Sequence, residues 1–219
     1  MRISVAIDGP AGAGKSTIAK IVAKNFDLMY INTGAMYRAV ALKAKENGLL
    51  PENVEEICSL IETMKMKFEQ DDLILNGENV QDKITMPSIS SQVSAYASIP
   101  EVRKILVKLQ RDMSKEFNVI MDGRDIGTVV LKNSPFKIFL TASPEERANR
   151  RFKELSERNI ECSYEGILQD IKDRDYKDTH RETDPLKKAD DAIEVDTTGL
   201  NINEVCEKIN SYISNKVYL

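Results

Sequence analysis

The run G-P-A-G-A-G-K-S at Gly9–Ser16 satisfies the pattern G-x-x-x-x-G-K-[ST], which requires a strand before it and a helix after it. Both flanks comply. Ile3 to Ile7 is apolar and β-prone, and Ile18, Ile21 and Val22 recur at helical spacing. Gly9, Gly12 and Gly14, separated only by Pro10, Ala11 and Ala13, let the backbone turn tightly so that successive N–H groups converge on phosphate oxygens at a helix N-terminus. Lys15 then reaches the terminal phosphates, Ser16 offers its hydroxyl to Mg²⁺, and Thr17 continues the helix.

An α/β alternation follows from this opening. Leu28 to Ile31 is a second strand candidate, followed by a helix from about Ala35 to Asn47 that stops at Gly48. Val119 to Met121, Ile138 to Leu140 and Ala192 to Val195 are further buried-strand candidates. Val102, Ile105, Leu106, Leu109 and Met113 mark the apolar face of a helix from Glu101 to Glu116, with Arg103, Lys104, Lys108 and Arg111 on other faces. From Met66 to Ile84 the rhythm breaks into short strands and turns, a small β insert. The expected architecture is a three-layer fold with a parallel five-stranded sheet flanked by helices. Its 219 residues form one domain, with core segments at about 1–34, 118–145 and 190–219, an insert-bearing region at 35–117 and a helical lid at 146–185.

Charge decides what the surface can attract. With 31 basic and 35 acidic residues the net charge is −4, so no general attraction to nucleic acid or an anionic membrane is expected and phosphate must be gripped locally. No apolar stretch approaches the roughly 18 residues of a membrane span. Cys58, Cys162 and Cys206 are few, odd in number and far apart, which fits reduced thiols better than a disulfide framework or a zinc site. The apolar run at the N-terminus is too short for a signal-peptide core, so the expectation is an untargeted, cytoplasmic chain. No sustained heptad announces a partner, and a monomer is expected.

Phosphoryl transfer demands charge neutralisation around the moving group, so carboxylates and arginines come next. Asp122 follows a buried strand, where it serves either to help hold Mg²⁺ or to shape the loop. In D-G-R-D-I-G-T at Asp122–Thr128, Arg124 can take a phosphate and Asp125 can accept from an amino group such as the cytosine N4 amine; the alternative is a local Arg124–Asp125 ion pair. Ser143, Pro144, Glu145 and Glu146 read as a capping box. On the helix that follows, Arg147, Arg150 and Arg151 share a face, there to meet a triphosphate or to be neutralised by Glu146 and Glu154. Arg174, Asp178 and Arg181 share another face if a helix starting at Tyr164 runs past about Lys177, forming either a solvated ion-pair ladder or a clamp. The polar segment Glu157–Ser163 between these helices is lid-like.

With the phosphate loop, T-G-A-M-Y-R at Thr33–Arg38, G-R-D-I-G-T-V-V at Gly123–Val130 and R-D-Y-K-D-T-H-R at Arg174–Arg181 in that order, the sequence resembles the bacterial cytidylate kinases over nearly its whole length. The resemblance implies ATP as donor bound at Gly9–Thr17 with Arg147 and Arg151, Mg²⁺ as cofactor at Ser16 and Asp122, and CMP or dCMP as acceptor. It implies that Ser94, Arg103 and Asp125 face the cytosine, with Ser94 and Asp125 serving the amino group. Spacing to Arg103 favours Ser94 over Ser90 and Ser91. Asp178, oriented by Arg174, takes the sugar hydroxyls. Arg38, Arg124 and Arg181 hold the acceptor phosphate, and Thr33 and Tyr37 line the same pocket, Thr33 standing where many members carry Ser. Lys15, Arg124, Arg151, Arg174 and Arg181 are the implied catalytic residues. Two other readings stay open: a P-loop kinase for another small acceptor such as UMP or dTMP, and a non-catalytic nucleotide-binding module.

Overall fold

Five runs become five parallel strands: the central ones are buried on both faces, as a sheet covered by helices on either side requires, whereas the last, Ile193–Asp196, is an edge strand with Glu194 and Asp196 exposed. The computed structural model describes residues 2–217. In chain order the elements are β1 (Ser4–Asp8), α1 (Lys15–Asn25), β2 (Met29–Asn32), α2 (Thr33–Glu46), α3 (Val54–Glu62), β3 (Met66–Glu69), β4 (Asp72–Leu75) and β5 (Glu78–Asn79). Three short helices follow, α4 (Gln81–Thr85), α5 (Pro87–Ser90) and α6 (Val93–Ala97), then α7 (Pro100–Glu116) and β6 (Val119–Gly123). A π-helical turn at Ile126–Val130 precedes β7 (Phe136–Thr141), α8 (Pro144–Glu157), α9 (Tyr164–His180), β8 (Ile193–Asp196) and α10 (Ile202–Val217).

The main sheet has the order β2-β6-β1-β7-β8. Strand alternation divides the core: Val5 and Ile7 face α1 and α10 with Ile18, Val22, Ile209 and Ile213, whereas Ala6 and Met121 face α2, α3 and α7 with Met36, Val40, Ile57 and Leu106. Each large apolar side chain so buried stabilises the fold by about 1.5–3 kcal/mol. β1 lies centrally between β6 and β7, and the chain leaves it first for β2 on the β6 side and later for β7 on the other side, so the crevice for ligand opens at its carboxyl end. Register there pairs Asp8 with both Gly123 and Phe139, which puts the phosphate loop beside the start of G-R-D-I-G-T. Gly9 departs from β1 at φ 149°, and a Cβ there would lie 1.9 Å from the Leu140 carbonyl oxygen. Only glycine permits that exit.

The β insert is an antiparallel sheet, β3-β4-β5, whose Phe68, Leu73 and Leu75 enter the same core as α2 and α7. It ends at Asn79, and the remainder of the expected 66–84 stretch is α4, where Ile84 is buried. The other boundaries move by one to three residues: β2 runs 29–32, α2 33–46 with Asn32 accepting from the Ala35 amide, and β7 136–141. At α8 the Ser143 hydroxyl accepts from the Glu146 amide as a cap, but Glu146 turns to Arg150 instead of completing a capping box. α8 and α9 share a small apolar cluster of their own around Ala148, Ile167 and Ile171. The three cysteines are unpaired. Among the described residues no helix is long and apolar enough to cross a membrane.

Candidate active site

At the carboxyl ends of β1, β2 and β6 the chain encloses a cavity of about 230 Å³. Its walls come from the phosphate loop (Ala11, Gly12, Lys15, Ser16), the start of α2 (Thr33, Gly34, Tyr37, Arg38), α6 and α7 (Ser94, Arg103), the β6 end (Asp122 to Asp125) and α9 with its exit (Arg174, Asp178, Arg181). Every residue expected to face the acceptor therefore meets in one space. Of the three candidate serines, Ser94 alone lines it. Six cationic side chains stand against three carboxylates, a formal excess of three positive charges.

At the loop end, Lys15 is buried and donates to the Pro10 carbonyl at 2.6 Å. Burial, then the nearby Arg124, push its pKa well below the ordinary lysine value, with Asp122 opposing. The Ser16 hydroxyl donates to Asp122 Oδ2 at 2.8 Å and the Tyr30 hydroxyl to Oδ1 at 2.9 Å. Asp122 also anchors the loop, because its carbonyl accepts from Thr33 Oγ1 at 2.7 Å. Gly123 makes room for that contact: a Cβ would lie 2.8 Å from Thr33 Oγ1 and 2.6 Å from Ile126 Cδ1.

In the middle, Arg124 pairs with Asp178, not with Asp125: Nε donates to Asp178 Oδ2 at 2.7 Å. Burial acts to raise the Asp178 pKa, but Arg124 and Arg174 together hold it below the ordinary carboxylate value. Arg174 makes no hydrogen bond to Asp178; its Nε, like that of Arg38, is buried without a partner among the described residues. Burial, then Arg124, lower the Arg174 pKa to about 10, and burial likewise lowers that of Arg38. Each Nε so placed is desolvated with no hydrogen bond to offset the cost.

At the far end Asp125 is buried between two guanidiniums, bonded to Arg103 Nη2 and, at 3.3 Å, to Arg181 Nη2. Burial raises its pKa against the pull of both arginines. The expectation that Arg103 lies off the buried face of α7 is wrong, since it is 2% exposed, with its guanidinium 5.5 Å from the centre of the Tyr37 ring. α9 ends at His180, so Arg181 does not share a helical face with Arg174 and Asp178; its extended backbone swings the side chain back to Asp125.

The arginines of α8 part company. Arg147 is buried and spends its donors on the Ala142 and Ala11 carbonyls, both at 3.0 Å, and on Asp175 at 2.6 and 3.1 Å. It stitches the phosphate loop to α9. Arg150 pairs with Glu146 and Thr197, and Arg151 with Glu154, so for these two the acidic neighbours on the helix are the partners. Arg151 lies outside the cavity lining, and so does Thr17. A second hollow of about 620 Å³ lies beyond Pro10, bordered by Arg147, Asp175, Thr179, Lys187, Asp196 and Thr198 among others.

Sequence reasoning overlooked Tyr30, Asp175, Asp184 and Asp8. Asp8, at the end of β1, accepts from the Ile126 and Gly127 amides, each at 2.7 Å, and so holds the π-helical turn behind Asp125. Burial, opposed by those two bonds, raises its pKa to about 7. Between the ordinary carboxylate value and about 7 the folded chain keeps a proton that the unfolded chain has released, so this group's contribution falls as pH rises through that window. The stability lead of the parent protein over Asp8→Asn, measured by urea unfolding at pH 4.5 to 7, therefore shrinks with rising pH, by at most about 1.4 kcal/mol per pH unit. A lead that does not vary with pH contradicts the assignment.

Comparison with known proteins gives the chain's family. The family model described as cytidylate kinase matches residues 5–215. A cytidylate kinase of Clostridium perfringens is 65% identical over 211 residues, covering 96% of this chain and 97% of that one, and one of Clostridium acetobutylicum is 58% identical over 217 residues, covering 99% and 100%. Among solved structures, an uncharacterized protein from Eubacterium ventriosum aligns over 98% of this chain and 99% of its own at a TM-score of 0.55, and a gluconokinase from Sinorhizobium meliloti over 99% and 96% at 0.50. At 12% identity these two speak for the fold alone. Near-complete matches in sequence, on a chain whose four motifs converge on one cationic cavity, place this protein in the cytidylate kinase family.

Proposed function

We propose that the protein transfers the γ-phosphoryl group of ATP to CMP or dCMP, giving ADP and CDP or dCDP. The observation that carries this reading is the convergence of Lys15, Arg38, Arg124, Arg174 and Arg181 on one cavity that has Asp125 at its far end. A nucleoside monophosphate is dianionic at one end, and cytosine presents an amino donor at the other. The arginines take the acceptor phosphate, Asp178 the sugar hydroxyls, and Ser94, Arg103 and Asp125 the base. The phosphate loop and Lys15 hold the donor phosphates in line with the acceptor. The second hollow, bordered by Pro10 and Arg147, receives the rest of the donor.

Ser16 and Asp122 fit Mg²⁺, because a hydroxyl and a carboxylate oxygen stand 2.8 Å apart beside the loop, and this ion takes few protein ligands when phosphates and water complete its shell. Held by Ser16 and Asp122, it would supply positive charge to offset that of the donor phosphates. No catalytic base is needed: the acceptor phosphate, with a second pKa of about 6, is already anionic near neutral pH. The arginines bring that oxygen to the donor against charge repulsion and stabilise the negative charge at transfer. α8 and α9, with their own apolar cluster, are suited to close as a lid, which would bring Arg151 toward the donor and exclude water.

The test is the purified protein with Mg-ATP against CMP, dCMP, UMP, dTMP, AMP and GMP, following ADP release and diphosphate formation. CMP and dCMP should exceed UMP in kcat/KM by at least about 10²-fold, because a uracil 4-oxo group would face a carboxylate. Preference for UMP or AMP would overturn the base assignment, and no turnover with any acceptor would overturn the kinase.

A further inference from the structure

The cytosine end of the cavity is supported by a residue that does not line it. Asp184 Oδ2 accepts from Arg103 Nε at 2.9 Å, while Nη2 of the same guanidinium goes to Asp125 and Nη1 to the Ala97 carbonyl at 3.2 Å. The Asp184 carbonyl meanwhile accepts from Arg181, from Nε at 2.7 Å and from Nη2. One residue thus grips the base-facing arginine by its side chain and the phosphate-facing arginine by its main chain. Its φ of 49° lies in the left-handed region, which Asp and Asn tolerate better than most residues. The turn is closed by the Leu186 amide donating to the Asp178 main-chain carbonyl at 2.8 Å, so it is tied to the backbone of the residue that bears the sugar-facing carboxylate.

We infer that Asp184 is a specificity-positioning residue: its carboxylate fixes the plane of the Arg103 guanidinium against Asp125, so that the hydrogen-bonding edge presented to the base matches cytosine. This rests on the function proposed above. Arg103 comes from α7 and Asp184 from the segment after α9, so the contact also joins the base-reading helix to the arm that carries Arg174, Asp178 and Arg181. A guanidinium is a rigid planar fork, and engaging its Nε removes the rotation that would let it present another edge. The Arg181 contact uses only backbone, so a side-chain substitution at Asp184 separates the two roles.

The experiment compares the parent protein with Asp184→Ala and Asp184→Asn. For the alanine variant the KM for CMP should rise about tenfold or more, as expected for a lost hydrogen bond to a charged group, and the kcat/KM ratio of CMP over UMP should fall by a similar factor. kcat at saturating CMP and the KM for ATP should stay within about twofold, because the carbonyl that holds Arg181 remains. Asparagine keeps an acceptor oxygen and the tolerance of positive φ, and should fall between the two. An unchanged KM and ratio in either folded variant overturns the inference, as does a parallel loss of kcat, CMP use and UMP use, which marks a structural role only. Should the alanine variant fail to fold by thermal melting, the asparagine variant decides: a selective rise in the CMP KM supports the inference and parent values end it. A parent protein that phosphorylates no CMP would instead defeat the functional proposal.

Discussion

Lys15→Ala lowers kcat by at least about 10²- to 10³-fold, the usual consequence of removing a preorganised charge aimed at the transferring group. Lys15 is buried beside Arg124, and the carboxylate that opposes this most, Asp122, already accepts from Ser16 and Tyr30. Its ammonium donates to the Pro10 carbonyl, and burial, then Arg124, depress its pKa against the opposing pull of Asp122 and Asp8. In the proposed function the donor phosphates would bring an anion to Lys15, which would make the charged form of the lysine and the bound nucleotide mutually stabilising. The same reasoning predicts that the variant melts no lower than the parent, because a desolvated cation facing another cation has been removed. Steady-state ADP release and a thermal melt on the same samples test both halves. Near-normal turnover contradicts the donor-site assignment, and a large fall in melting temperature shows that Lys15 is needed for folding instead.

The sheet and the phosphate loop were legible in the sequence because their causes are local: an apolar run, a glycine at a forced turn, a helical period. The cavity-lining residues beyond the phosphate loop were legible only through motifs, and their pairing was not. Arg124 and Asp125 are adjacent in sequence, but adjacent residues at a strand end project differently, so Arg124 meets Asp178 and Asp125 meets Arg103 and Arg181. Helical periodicity failed at Arg181, since nothing in D-T-H-R marks the stop at His180 that turns the arginine inward. The same limit hid Asp8, whose amide partners lie 118 and 119 residues away. An Asp closing a strand just before a phosphate loop was visible, but its partner could be known only from the register of β1 against β6. Among the α8 arginines, Arg150 and Arg151 pair with glutamates four and three positions away, as the helical spacing allows, whereas Arg147 reaches the loop.

Asp125→Ala strips two buried guanidiniums of their shared carboxylate. Arg103 and Arg181 are 2% and 9% exposed at the side chain, so neither recovers the lost interaction from water. Leaving buried charge uncompensated costs about 3–5 kcal/mol of stability, visible as an earlier urea midpoint. kcat/KM for CMP should fall by at least about 10²-fold while ATP affinity, set at the opposite end of the cavity, changes little. Asp125→Asn separates charge from shape. It keeps one acceptor oxygen and adds an amide donor, which suits the 4-oxo group of uracil better than a carboxylate does, so the ratio of CMP to UMP use should narrow even though both rates drop. The Arg103 Nε contact to Asp184 survives in this variant and holds that guanidinium near its place, which keeps the comparison one of hydrogen-bond polarity at a fixed geometry. An equal loss of CMP and ATP binding in the alanine variant, or an undiminished preference for CMP in the asparagine variant, would mean that Asp125 serves only to hold the arginines and that the base is read elsewhere.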